Sequence, residues 1–156
     1  MTVSGVFSAP ELQRAIALVE AIIRSLGIDP AATRSDRDTH VAFALRRGSA
    51  RILVGVHAPS AELAEGRLRV VAPVVRLPGG EKDAALMRRV LEANATELVG
   101  AAFAISGSDV VVVSERPVVD LDASEVEAMI RNVGRVADRY DDELAATYGA
   151  LRASDR

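Results

Sequence analysis

HVAFALRRGSARILVGVH, residues 40–57, reads as two short runs of period two separated by a turn. Val41, Phe43 and Leu45 alternate with smaller residues, Arg47-Gly48-Ser49 interrupts them, and Ile52, Val54 and Val56 alternate again. Successive side chains of a strand point to opposite faces, so the spacing predicts a β-hairpin. After a polar stretch from Pro59 to Gly66, Leu68, Val70, Ala72 and Val74 make a third strand, which Pro78-Gly79-Gly80 closes. Links this short leave no room for a crossover helix. The three strands are therefore expected to form an antiparallel meander, a sheet that can leave one face free.

Helices are expected on either side. Upstream, Ser8 with Glu11 three residues later makes a capping box, and Pro10 is tolerated in a first turn. Leu12, Ile16, Val19, Ile23 and Leu26 then recur at helical spacing until Gly27 supplies a left-handed stop. Residues 29–38, rich in Pro, Ala, Ser, Thr and charge, read as a loop. Downstream, a second helix spans about 81–94, with Leu86, Met87, Val90 and Leu91 on its apolar side and acids in its first turn. Ala101, Phe103 and Ile105 lead through Ser106-Gly107-Ser108 to Val110–Val113, a second hairpin that continues towards Val118 and Val119. Asp122 and Glu125 cap a last helix, whose face is traced by Val126, Met129, Ile130, Val133, Ala137, Tyr140 and Leu144.

The expected order is α-β-β-β-α-β-β-α. It describes an α+β two-layer sandwich whose antiparallel sheet carries its helices mainly on one face. The chain is long enough for one core, and no linker divides it, so residues 1–150 read as a single domain with 151–156 as a frayed tail.

Composition narrows the function classes. Hydrophobic residues make up 49% of the 156 and charged residues 26%, the balance of a globular protein. A net charge of −3 offers no overall positive field for nucleic acid or an anionic membrane. The absence of cysteine removes disulfides, thiolate chemistry and cysteine-bound metals. Without a basic and apolar start or a run of about 18 apolar residues, the chain is expected in the cytoplasm.

Motifs of catalysis fail on inspection. His40 and His57, the two histidines, form no i, i+4 metal pair and sit beside no nucleophile motif. Asp120-Leu121-Asp122-Ala123-Ser124 opens like a calcium loop, but Glu125 stands where that loop needs glycine and Arg131 where it needs glutamate. Pro78-Gly79-Gly80-Glu81-Lys82-Asp83 lacks the spacing of a phosphate loop. Asp141, Asp142 and Glu143 are consecutive on a helix and point in different directions. Arg46, Arg47, Arg51, Arg67, Arg69 and Arg76 could make a basic stripe, yet no aromatics interleave to stack on bases. No catalytic residue, cofactor or metal is expected.

From Leu91 onward the residue order becomes specific: Leu91, Asn94, Gly100, Phe103 and Ile105, a glycine-bearing hairpin, Val110–Val113, Leu121 and a long amphipathic helix. This stretch resembles the YbjN family, which is similar in fold to the type III secretion chaperones with their CesT-like α-β-β-β-α-β-β-α order. The resemblance implies a non-enzymatic, chaperone-like module that holds another polypeptide in extended form, often as a homodimer; the charge and composition above add the expectation of no nucleic acid or membrane partner. Ile52, Val54, Val56, Val70 and Val74 are then the candidate partner-binding residues, with an ordinary core role as the competing reading. Leu86, Met87 and Val90 are the candidate dimer interface, because residues adjacent on a helix project about 100° apart and can serve two neighbours. Alternatives are a regulatory or structural protein-interaction domain without clients and a small hydrolase. The hydrolase would need acids such as Asp36, Asp38, Glu62, Glu65 and Asp120 to converge in three dimensions.

Overall fold

The computed structural model describes residues 9–156. In chain order the elements are α1 (Pro10–Ser25), α2 (Pro30–Thr33), β1 (Arg34–Asp36), β2 (His40–Arg47), β3 (Ala50–His57) and β4 (Arg67–Arg76). There follow α3 (Glu81–Thr96), β5 (Ala102–Ser106), β6 (Asp109–Pro117), α4 (Ala123–Tyr148), β7 (Leu151–Arg152) and a 3₁₀ turn, Ala153–Asp155. The strands form one antiparallel sheet in the order β1-β2-β3-β4-β6-β5, with β7 off this path against β4. This is the α+β sandwich that the periodicities predict.

Helix ends are set by local chemistry. α1 ends in a Schellman turn: the Ile28 N–H donates to the Ile23 carbonyl at 3.2 Å and the Gly27 N–H to that of Arg24 at 2.9 Å, with Gly27 at φ +78°. Its cap position is Ala9, which offers no side-chain bond, and Ser8, the expected cap, lies outside the described residues. The capping box of α4 is present as predicted. The Glu125 N–H donates to Asp122 Oδ1 and the Asp122 N–H to Glu125 Oε2, both at 3.0 Å.

Two expectations are corrected. Residues 29–38 are not a plain loop: Asp29 Oδ1 accepts the Ala31 N–H at 3.0 Å and Pro30 occupies the first turn of α2. β1 then pairs with β2, Arg34 opposite Phe43. Nor does the tail fray. Leu151 and Arg152 pair with Arg76 and Val75, Ala150 and Ala153 are buried, and Arg156 Nη1 meets Asp109 Oδ1 at 2.9 Å.

The chain divides into two compact units, each assembled from three separate segments: residues up to 45, 53–70 and 115–130 in the first, and 46–52, 71–114 and 131–156 in the second. Because the segments interleave, neither unit could be marked by a linker. The first unit buries Leu12, Val19 and Ile23 of α1 with Phe43, Val54, Leu68, Leu121 and Val126. Gly66 is required there: at φ +80°, a Cβ would stand 2.7 Å from the His57 carbonyl oxygen and 2.9 Å from Leu12. The second unit buries Leu86, Val90 and Ala93 of α3 with Phe103, Val112, Val133, Tyr140 and Leu144. Phe103 meets the Tyr140 ring edge-to-face at 5.1 Å.

Candidate polypeptide-binding surface

Alternation within each strand decides which side chains a partner could reach. Ile52, Val54, Val56, Val70 and Val74 are all buried, none more than 1% exposed. The pleat turns that whole set inward, into the core, where the chain's own side chains cover it. Several of the opposite positions remain less covered, although Ala42, Val75 and Val111 among them are buried. In the second unit Val71 and Pro73 of β4 and Val113 of β6 are half-buried, and Ala102 and Ala104 of β5 are exposed. Val113 lies opposite Ala102 and Val111 opposite Ala104 in the β5–β6 register. Solvated sheet faces are ordinarily polar, so this apolar group stands out. In the first unit the exposed Ala44 and Leu53 are the equivalents on β2 and β3.

α3 shows a second open stripe. Leu86, Val90 and Ala93, the first two of them expected at an interface, are buried against its own core. Met87 is half-buried and Leu91 is 64% exposed. With Ala84, Arg88, Glu92 and Ala95 they line a shallow groove of about 480 Å³. Their spacing of three and four residues places them on one side of the helix. The reverse side is held down. Arg89 meets Glu143 at 2.9 Å and Glu97 at 2.6 Å, and Tyr140 donates its hydroxyl proton to Glu97 Oε2 at 2.5 Å. The Arg89 guanidinium, with the Tyr140 hydroxyl next, draws the Glu97 carboxyl down to about 2. Burial, then the bond to Glu97, raises the Tyr140 hydroxyl.

The polar residues singled out in the sequence have local explanations. The rings of His40 and His57 stack, with centroids 4.7 Å apart and 19° between planes. Gly55 makes room for this, since a Cβ there would fall 2.8 Å from His57 Nε2. Burial, followed by repulsion from His40, Arg67 and Arg69, lowers the His57 imidazole to about 4. Arg67 stands 3.5 Å from Glu115, and Arg69 pairs with the same carboxylate, so these arginines are not a free basic stripe. At residues 78–83 the Gly79 N–H donates to Asp83 Oδ1 at 2.8 Å, which puts an acid where a phosphate loop would hold its anion. Asp142 pairs with Arg152 and Glu143 with Arg89, while Asp141 is buried and raised by that burial. Asp36 pairs with Arg34, and Glu62 accepts the Ser60 hydroxyl. Among the described residues no three His, Asp or Glu side chains come together as a metal site, and no helix is long and apolar enough to cross a membrane.

The residues at 94–103 that sequence spacing singled out have structural work. Asn94 bonds both backbone groups of Phe103, the Gly100 carbonyl accepts the Ser114 hydroxyl at 2.8 Å, and the Val99 carbonyl accepts Asn132 Nδ2 at 2.8 Å. Gly100 itself sits at φ +71°.

Known proteins resemble the chain at two levels. The model of the YbjN family, described as "Putative bacterial sensory transduction regulator", matches residues 15–146. No curated protein matches. Among solved structures, the ExsC–ExsE complex is similar at 14% identity and TM-score 0.59, covering 85% of this chain and 94% of that one. The ExoU–SpcU complex of the Pseudomonas aeruginosa type III secretion system follows at 12% and 0.58, covering 83% and 99%. The HopA1–SchA chaperone–effector complex matches at 12% and 0.56, covering 91% and 98%. Identities this low establish a common fold.

Proposed function

The chain belongs to the YbjN family, and from that premise we propose that it is a non-enzymatic module that binds another polypeptide in extended form. One observation carries the reading: on the open side of the sheet in the second unit, Val71, Pro73, Val113, Ala102 and Ala104 leave apolar surface where polar residues would be expected. The likeness to SpcU and SchA, seen in complex with partner chains, supports it at the level of fold analogy. An extended client laid across the strands would bury its alternate side chains there. Each Val or Leu so buried contributes about 1.5–3 kcal/mol before ordering costs, and a micromolar complex needs about 8 kcal/mol. A few side chains suffice.

Self-association is assigned to the outer stripe of α3, where Met87 and Leu91 are open, and not to Leu86 or Val90. Leu91→Glu is expected to leave a folded monomer by light scattering.

The client test is capture by the purified, tagged chain, comparing wild type with Val113→Lys and with Leu91→Glu, each checked by circular dichroism. A partner kept by wild type and Leu91→Glu but lost by folded Val113→Lys supports a client face on the sheet. A partner indifferent to Val113→Lys sinks it.

The description of the family as a sensory transduction regulator favours a second reading, a regulatory domain with a fixed interface and no clients. Unrelated extended apolar peptides would compete for a client face; they would leave a fixed interface undisturbed.

A further inference from the structure

β5 ends the strand order, so among the described residues one of its long sides has no strand beside it. Residues of an antiparallel strand alternate between those bonded to the paired strand and those whose N–H and C=O point away. Phe103 is of the second kind. Its N–H donates to Asn94 Oδ1 at 2.7 Å, and its carbonyl accepts from Asn94 Nδ2 at 3.1 Å. A primary amide offers one acceptor and a donor side by side. Asn94, near the end of α3, thus makes with Phe103 the two bonds that a residue of an added strand would make.

β5 itself carries none of the usual guards in its own sequence. Natural edge strands are commonly protected by charge, proline or a bulge. No charged residue lies between Glu97 and Asp109, and β5 itself is Ala-Phe-Ala-Ile-Ser, exposed at every position except Phe103. A short, neutral, apolar strand of this kind is a template for pairing. We propose that Asn94 closes the edge: its side chain occupies the central hydrogen-bonding residue of β5 and keeps that strand from pairing with β5 of a second copy. A second copy is the matching occupant because two charge-free strands meet antiparallel without repulsion, alanine and isoleucine against one another. With Phe103 taken, Ile105 is the outward-bonding residue that remains on β5, and one residue cannot set a register. This inference is independent of client binding and of the α3 interface.

The test compares solution masses by light scattering at one concentration for wild type, Asn94→Ala and the double variant Asn94→Ala/Ala104→Lys, with circular dichroism as the folding check. Asn94→Ala is expected at least to double the wild-type mass, and the lysine to restore it. A folded Asn94→Ala with the wild-type mass overturns the proposal, as does an enlarged mass that lysine fails to reverse. Should Asn94→Ala not fold, amide hydrogen exchange in the wild type decides. The Phe103 amide is expected to exchange at least about tenfold more slowly than the Ile105 amide, which faces the same open side; equal rates refute the closure.

Discussion

Acidification should weaken the protein through His57 before it touches the carboxylates. In the folded chain the imidazole is lowered to about 4, against an ordinary 6.5, by burial and by the neighbouring His40, Arg67 and Arg69, with Glu115 pulling the other way. Between those values the unfolded chain binds a proton that the folded chain refuses, so stability rises with pH across that window. It is fully present above about 6.5 and lost as the pH falls towards 4. The gap bounds the effect at roughly 3.4 kcal/mol. Because His57 is only half-buried, solvent screening reduces this to about 1–2 kcal/mol. Carboxylates with lowered values, Asp36 beside Arg34 and Asp122 beside Ser124, act only below their ordinary 3.8. Glu97, drawn to about 2, acts below its ordinary 4.5, and Asp141, raised from 3.8 by burial, works in the opposite sense. Urea unfolding from pH 7.5 to 4.5 should therefore show a decline that His57→Gln flattens. Titration of the ring by NMR supplies the direct check: a midpoint near 6.5, or an undiminished decline in His57→Gln, refutes the reasoning.

Leu86→Ala should cost about 3–4 kcal/mol in urea unfolding, because it empties a fully buried site, whereas Leu91→Ala should stay within about 0.5 kcal/mol; similar values would mean that α3 is rotated. Tyr140→Phe removes a hydroxyl bonded to a carboxylate and should lose about 1–2 kcal/mol in the same assay, while the Glu97 carboxyl, titrated by NMR, rises. Ending the chain at Gly149 removes β7 and the pairs of Arg152 and Arg156, so the Val75 and Arg76 amides should exchange faster and the melting temperature should fall. Unchanged exchange would show the tail to be idle.

Most of the architecture was open to reading because its signals are periodic or local. Alternation at 41–45 and 52–56 located two strands, and Asp122 with Glu125 located the start of α4. What periodicity cannot supply is the identity of the covering layer. Val54 and Leu53 are both apolar neighbours on β3, and only the packed chain shows that the first is buried and the second open. Val90 and Leu91 on α3 differ in the same way. Residues 150–153 escaped notice because two alanines give no amphipathic pattern; their burial depends on neighbours distant in sequence. Asn94 was visible only as a position in a spacing. Its meaning needed Phe103 beside it, a contact that no propensity encodes.

The interleaved segments have a consequence for biosynthesis. The first unit waits for residues 115–130 and the second for 131–156, and α4 contributes to both. At roughly 5–20 residues per second, several seconds separate the emergence of the β2–β3 hairpin from that of the helix. Throughout that interval Val54, Val56 and Val70 have no complete unit to bury them, and β5 emerges before either unit is whole. A domain proposed to hold other chains is thus, while it is being made, a chain that itself needs holding, and its yield in the cell should depend more on the pace of elongation and the supply of general chaperones than its finished stability suggests.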